Sequence, residues 1–138
     1  MKNREKKNAF TLVELLLVVT IIGILAGAVL VNFSGQTKKA KINRAKMDIE
    51  NIKLALQMFE MNIGSYPTTD QGLDALVNDP GIDGWERHME SGQLRDPWGN
   101  DYQYRNPGNR GLNYDLYTIG PDGQEGTEHD VGNWDEEQ

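Results

Sequence analysis

The sequence predicts an α+β fold: a long N-terminal helix packed on a small antiparallel sheet. Three observations predict it. The first proline is Pro67, so nothing breaks a helix before that point. An apolar run and then an apolar stripe at helical spacing fill that stretch. Beyond it, two short β-prone segments flank a glycine- and proline-containing connection, and a glycine-rich acidic loop closes the chain.

The helix begins in an unusual way. Residues 1–9 form a basic leader carrying Lys2, Arg4, Lys6 and Lys7 against Glu5. Phe10–Val31 is then nearly all apolar, and its 22 residues would span roughly 30 Å as a helix, about one hydrocarbon core. A signal peptide or a plain membrane anchor is the ordinary reading of such a run. Glu14 resists it. A carboxylate inside the membrane costs on the order of 2.5–3.5 kcal/mol, which suits a helix that meets a cation on a neighbouring copy. An α-amino group freed at Phe10 by cleavage after Ala9 would be such a cation. Gly23 and Gly27 make a small-xxx-small pair that permits close helix approach, and glycine is also common in ordinary membrane helices. Basic residues flank the run on both sides, so charge does not set its orientation.

From Gln36 to Ile63, Ile42, Ala45, Ile49, Ile52, Leu56, Phe59 and Ile63 recur at alternating steps of three and four, one continuous stripe. Met47, Leu54, Met58 and Met61 make a second apolar line. One helix is expected from about Phe10 to Met61, its first half in membrane and its second half against a head, stopped at Gly64. A coiled coil fits the stripe too. The run is short, and a covering sheet is the expectation.

In the head, Tyr66–Leu73 opens a loop, Leu73–Val77 reads as a short helix, and residues 82–95 read as irregular. Asp96-Pro97-Trp98-Gly99-Asn100 is a turn cluster, with Trp98 expected to pack on the head. Asp101–Arg105 and Asn113–Ile119 are the two strands of a hairpin. The domain boundaries read as 1–9 leader, 10–35 hydrophobic assembly helix and 36–138 head.

Gly120–Trp134 is the one stretch with site chemistry. Asp122, Glu125, Glu128 and Asp130 supply carboxylates, and glycines let a loop turn its carbonyls inward, as hard cations require. The spacing is not that of an EF-hand, so a solvated acidic loop and a structural cation site both remain open. Residues 65–138 hold four basic against sixteen acidic side chains, which excludes a phosphate-backbone partner such as nucleic acid. The chain has no cysteine, hence no disulfide and no thiolate metal site. The histidines, His88 and His129, belong to no catalytic motif and are expected to be exposed. No enzyme is indicated.

Three stretches carry a family resemblance across essentially the whole chain. Lys6-Lys7-Asn8-Ala9-Phe10-Thr11-Leu12-Val13-Glu14 resembles a class III prepilin leader and the start of a mature pilin. Tyr66–Leu73 and Asp96–Tyr102 resemble the head signatures of the major pseudopilins of type II secretion (the general secretion pathway protein G family, type IV pilin-like in fold). Gly120-Pro121-Asp122-Gly123 with Asn133-Trp134 resembles that family's calcium loop. The resemblance implies cleavage between Ala9 and Phe10 by a prepilin peptidase, N-methylation of Phe10, and pairing of Glu14 with the Phe10 amine of an adjacent subunit. It implies a single-pass inner-membrane protein with a periplasmic head, surrounded by lipid before assembly. Copies would polymerise, with minor pseudopilins and an inner-membrane assembly platform, into a periplasmic pseudopilus that drives export of folded proteins. It implies structural Ca2+ held by Asp122, Asp130 and the Ile119 carbonyl.

The chain departs from the family pattern at Ala9, where glycine is usual, at Val31, where proline is frequent, and at His129, a family aspartate position. Histidine is a poor calcium ligand, which leaves Glu125, Glu128 or water to fill its place. Two other readings compete. A type IV pilus subunit would usually carry a cysteine-closed loop. A soluble secreted calcium-binding module would arise if signal peptidase cut at Ala26-Gly27-Ala28.

Overall fold

The computed structural model describes residues 10–134, and for residues 28–34 and 36 the backbone only. Its first element, α1, is a 52-residue helix, Leu12–Ile63. Local chemistry sets both ends. Thr11 Oγ1 accepts from the Glu14 N–H at 3.2 Å while the Glu14 carboxylate accepts from the Thr11 N–H at 2.9 Å. This reciprocal capping box satisfies donors that the first turn leaves unpaired. At the other end Gly64 adopts φ 94°, a left-handed conformation that glycine takes without penalty, and its N–H donates to the Glu60 carbonyl at 2.7 Å.

The chain divides into two compact units, Met1–Lys38 and Lys39–Gln138. In the first, the described apolar side chains are exposed, among them Phe10, Leu12, Val13 and Ile24. Among the described residues no helix is long and apolar enough to cross a membrane. The expected span, Phe10–Val31, runs into residues 28–31, whose side chains lie outside the described set.

In the second unit the predicted stripe is the core. Ala45, Ile49, Ile52, Leu56 and Phe59 are buried, with Ile42 and Ile63 partly buried at its ends. Leu73, Ala75, Leu76, Met89, Tyr102, Tyr114, Leu116 and Val131 pack into the same cluster. The sheet has three antiparallel strands in the order β1 (Gln103–Arg105), β2 (Asp115–Thr118), β3 (Val131–Gly132). Tyr104 faces Leu116 across the first pair, and Thr118 faces Val131 across the second. The central strand is buried at all four positions, including Asp115 and Thr118. Tyr102 ties sheet to helix by donating its hydroxyl to Asp48 at 3.1 Å, and Tyr104 donates to the Pro67 carbonyl at 2.8 Å. Burial, foremost, raises the pKa of both phenols.

Several expectations need correction. The third strand was not foreseen: Val131–Gly132 belongs to the sheet, not to an open loop. Gly132 lies there because a Cβ would sit 2.5 Å from the Trp134 ring. The short helix expected at Leu73–Val77 is present as a 3-10 helix, Leu73–Leu76, whereas Ser91–Leu94 within the stretch read as irregular is a second one, closed by a Glu90/Gln93 capping box. His88 is not exposed. Its ring meets Phe59 edge-on with centroids 5.9 Å apart, and its Nε2 is buried. Trp98 is half-buried and lies outside the main core cluster.

Candidate functional site: the helix start and the C-terminal loop

The residues singled out for processing and assembly lie at the start of α1. Ala9 is outside the described residues. Phe10 is 79% exposed. The Glu14 carboxylate accepts from both the backbone N–H and the hydroxyl of Thr11, each at 2.9 Å. Within a single chain, then, Glu14 already has a partner. The Thr-x-x-Glu spacing of residues 11–14 is a readable capping-box signal, and it was missed because the carboxylate was read only as a charge awaiting a cation on another copy.

The C-terminal loop is built around turns that glycine makes possible. Gly120-Pro121-Asp122 forms a 3-10 turn ended by Gly123 at φ 66°. Gly120 itself is at φ 66°, and a Cβ there would lie 2.3 Å from the His129 carbonyl oxygen. The His129 backbone therefore closes the loop onto its own beginning. Thr127 bridges the two aspartates: its hydroxyl donates to Asp122 Oδ2 at 2.8 Å, and its carbonyl accepts from the Asp130 N–H at 3.2 Å. Gln124 N–H also donates to Asp122, at 3.3 Å. The Thr127 hydroxyl bond, foremost, holds the Asp122 carboxyl below its ordinary pKa, with help from the Gln124 amide and the nearby His129.

Asp130 is only half satisfied. Its Oδ2 accepts from the Gly126 N–H at 2.8 Å, while its Oδ1 is buried with no hydrogen-bond partner. A buried carboxylate oxygen without a donor is costly unless a donor or a cation meets it. Glu125, offered by the sequence as a replacement ligand, is turned to the sheet instead. It accepts a short hydrogen bond from the Tyr117 hydroxyl and pairs with Arg105 Nη2 at 3.7 Å. Burial, then Glu125, pushes the Tyr117 phenol up to about 12. Glu128 is exposed. Among the described residues no group of three His, Asp or Glu side chains converges on one point. A hard cation here would have to draw on Asp122 and Asp130 and complete its shell with carbonyl or water oxygens, a donor set of the right kind.

A helix opened by a carboxylate, packed on a short sheet and followed by a turn-rich acidic loop, is the framework of a pilin-like structural subunit. Residues 4–30 match the prokaryotic N-terminal methylation motif. Residues 32–134 match the model of type II secretion system (T2SS), protein G, and the chain belongs to that family. The type II secretion system core protein G of Vibrio cholerae serotype O1 is 45% identical over 141 residues, covering 97% of this chain and 96% of the relative. The protein of the same description from Escherichia coli K12 is 42% identical over 139 residues, covering 97% and 95%. The crystal structure of the major pseudopilin from the type 2 secretion system of enterohaemorrhagic Escherichia coli superposes with a TM-score of 0.62. It is 37% identical and covers 75% of this chain and 95% of that one. The chain is thus a major pseudopilin of the type II secretion system, a structural subunit rather than an enzyme, and not a type IV pilus subunit.

Proposed function

We propose that the chain is made as an inner-membrane precursor, cut between Ala9 and Phe10 by a prepilin peptidase, N-methylated on Phe10, and polymerised into a periplasmic pseudopilus that drives export of folded proteins. The observation that carries this reading is a methylation motif over residues 4–30 joined in one chain to a secretion-system head over residues 32–134. The apolar run Phe10–Val31 would hold the subunit in lipid as a single span with its head in the periplasm, a length argument made from the sequence. Minor pseudopilins and the inner-membrane assembly platform are the expected partners.

Glu14 is assigned two successive partners. In the single chain it caps α1 through Thr11. On assembly it pairs with the Phe10 amine of an adjacent subunit, and the charge pair offsets the cost of carrying a carboxylate among lipid tails. The Thr11 hydroxyl then remains to cap the helix by accepting from the Glu14 N–H.

Calcium is assigned to the C-terminal loop, with Asp122, Asp130 and the Ile119 carbonyl as its holders and water in the place that His129 leaves. The buried, partnerless Asp130 Oδ1 supports the assignment. When bound, such an ion neutralises the carboxylates and cross-links the loop of a head that has no disulfide.

The N-terminus and intact mass of the protein isolated from its native membrane test the processing. A chain starting at N-methylated Phe10 is expected. A chain starting at Val29 would make the apolar run a signal peptide, and one retaining Met1 would mean either that Ala9 blocks the peptidase or that the partner peptidase is missing, leaving a membrane-held precursor.

A further inference from the structure

The head half of α1 has two apolar faces, and the core uses only one. Met47, Leu54, Met58 and Met61 are 67%, 59%, 59% and 83% exposed. At 3.6 residues per turn they fall within an arc of roughly 60°, on the side of the helix away from Ile49, Ile52, Leu56 and Phe59. The chain has five methionines: these three, the buried Met89, and Met1, which lies outside the described residues. With no cysteine present, the three exposed thioethers are the readiest targets for an oxidant in solution.

Two features identify what covers this face. A stripe of four side chains offers a few hundred Å2, well short of the roughly 800 Å2 per partner of a stable pairwise complex. That suits one contact among several in a polymer better than an isolated dimer. Charge points the same way. Lys39, Lys41, Arg44 and Lys46 are exposed at the start of this half-helix, whereas residues 65–138 are strongly acidic. Stacked head to tail, one copy presents to the next the opposite charge.

We propose that Met47, Met58 and Met61 form an oxidation-sensitive face for a second copy of this chain, so that sulfoxide formation in the free subunit stops its addition to the filament. The inference rests on the polymerising reading above. The chemistry is a two-electron oxygen transfer from an oxidant of the hypochlorite or peroxide class. The thioether sulfur attacks the electrophilic oxygen, an S–O bond forms, and the O–Cl or O–O bond breaks. Sulfur is oxidised and chloride or water leaves. The product is a polar sulfoxide whose burial without a donor is unfavourable. Methionine sulfoxide reductases with a thiol reductant reverse it. Subunits already in the filament are shielded, because the face is covered.

The test uses the full-length mature chain in detergent. It is treated with hypochlorite, quenched with free methionine, mapped by mass spectrometry, then reassembled by detergent removal and pelleted. Sulfoxides are expected at Met47, Met58 and Met61 before Met89, with pelletable polymer falling roughly tenfold. Reductase treatment restores assembly, and the M47L/M58L/M61L variant is unaffected by the oxidant. Oxidised chain that pellets like untreated chain overturns the proposal alone. So does a loss that the reductase does not reverse, and this arm stands even where the triple variant assembles poorly. Untreated chain that never pellets overturns the polymerising reading, and this proposal with it.

Discussion

Two loops of the head are each organised around an aspartate, and they are completed in different ways. In the Asp96–Asn100 turn the carboxylate is 5% exposed and satisfied from within the chain. Asp96 Oδ1 accepts from the N–H groups of Trp98 at 2.9 Å and Asn100 at 2.8 Å, and Oδ2 accepts a short bond from the Thr118 hydroxyl. Thr118 in turn accepts from the Gly120 N–H at 3.1 Å, so the same network reaches the start of the C-terminal loop. In that loop Asp130 receives one amide donor and keeps a buried oxygen with none. The difference teaches that the first loop is held by its own hydrogen bonds, whereas the second keeps a buried acceptor that no donor of the described chain meets.

The largest expected effect comes from breaking the self-sufficient loop. Asp96→Ala strands two backbone donors and a buried hydroxyl, and should cost about 3 kcal/mol or more of unfolding free energy with or without calcium. Urea unfolding in calcium and in a chelator measures this. Equal losses in both conditions are expected. A loss confined to the chelator would show that the turn depends on the C-terminal loop and is not self-sufficient.

How much of this was legible in the sequence differs between the loops for a physical reason. The core stripe of α1 could be read because burial on one helix face imposes a period that side-chain identity records. Gly64 could be read as its end. The burial of Asp96 and Asp115 could not, since an aspartate in a turn or at the start of a strand looks the same whether it faces water or accepts amide donors. Strand β3 could not be read either: two residues carry no period, and their pairing is set by contact with Tyr117 and Thr118 across the sheet. Glu14 shows a signal present but attributed to one role alone, because the capping box and the cost of a buried charge are written in the same residue. His88 was misread from its polar neighbours in sequence, whereas the ring against it is Phe59, far back on the helix.

The second effect sharpens the comparison from the side of the open loop. Calcium at a hundredfold excess over its dissociation constant should stabilise the wild-type head by about 2.7 kcal/mol, read as a rise in melting temperature. Asp122→Asn and Asp130→Asn should abolish most of that rise while changing calcium-free stability by less than about 1 kcal/mol. Glu125→Gln should keep it, because Glu125 serves the sheet. His129→Asp should bind calcium more tightly, having regained a hard oxygen donor. Loss of the rise in Glu125→Gln with retention in Asp130→Asn would reverse the assignment of ligands.

The smallest effect tests where the loop ends and the sheet begins. Tyr117 is a sheet residue whose hydroxyl donates to Glu125 of the loop. Burial first, and Glu125 second, push its phenol up to about 12 from an ordinary value of 10.0. A raised phenol means that the folded state holds the proton more tightly than the unfolded chain does. The contribution is therefore fully present below pH 10.0 and is lost as pH rises through about 12. Tyr114, raised to about 12 mainly by burial, loses its contribution in the same window, and Tyr66, Tyr102 and Tyr104, whose phenols are also raised, add to the decline above pH 10.0, so the wild type should lose stability there through several tyrosines at once. Tyr117→Phe should cost about 1 kcal/mol at neutral pH for the lost hydrogen bond, and should make the alkaline decline shallower without removing it. The calcium-induced rise in melting temperature should survive in this variant. If it does not, the Tyr117–Glu125 contact holds the loop in its ion-binding shape, and sheet and loop form one cooperative unit.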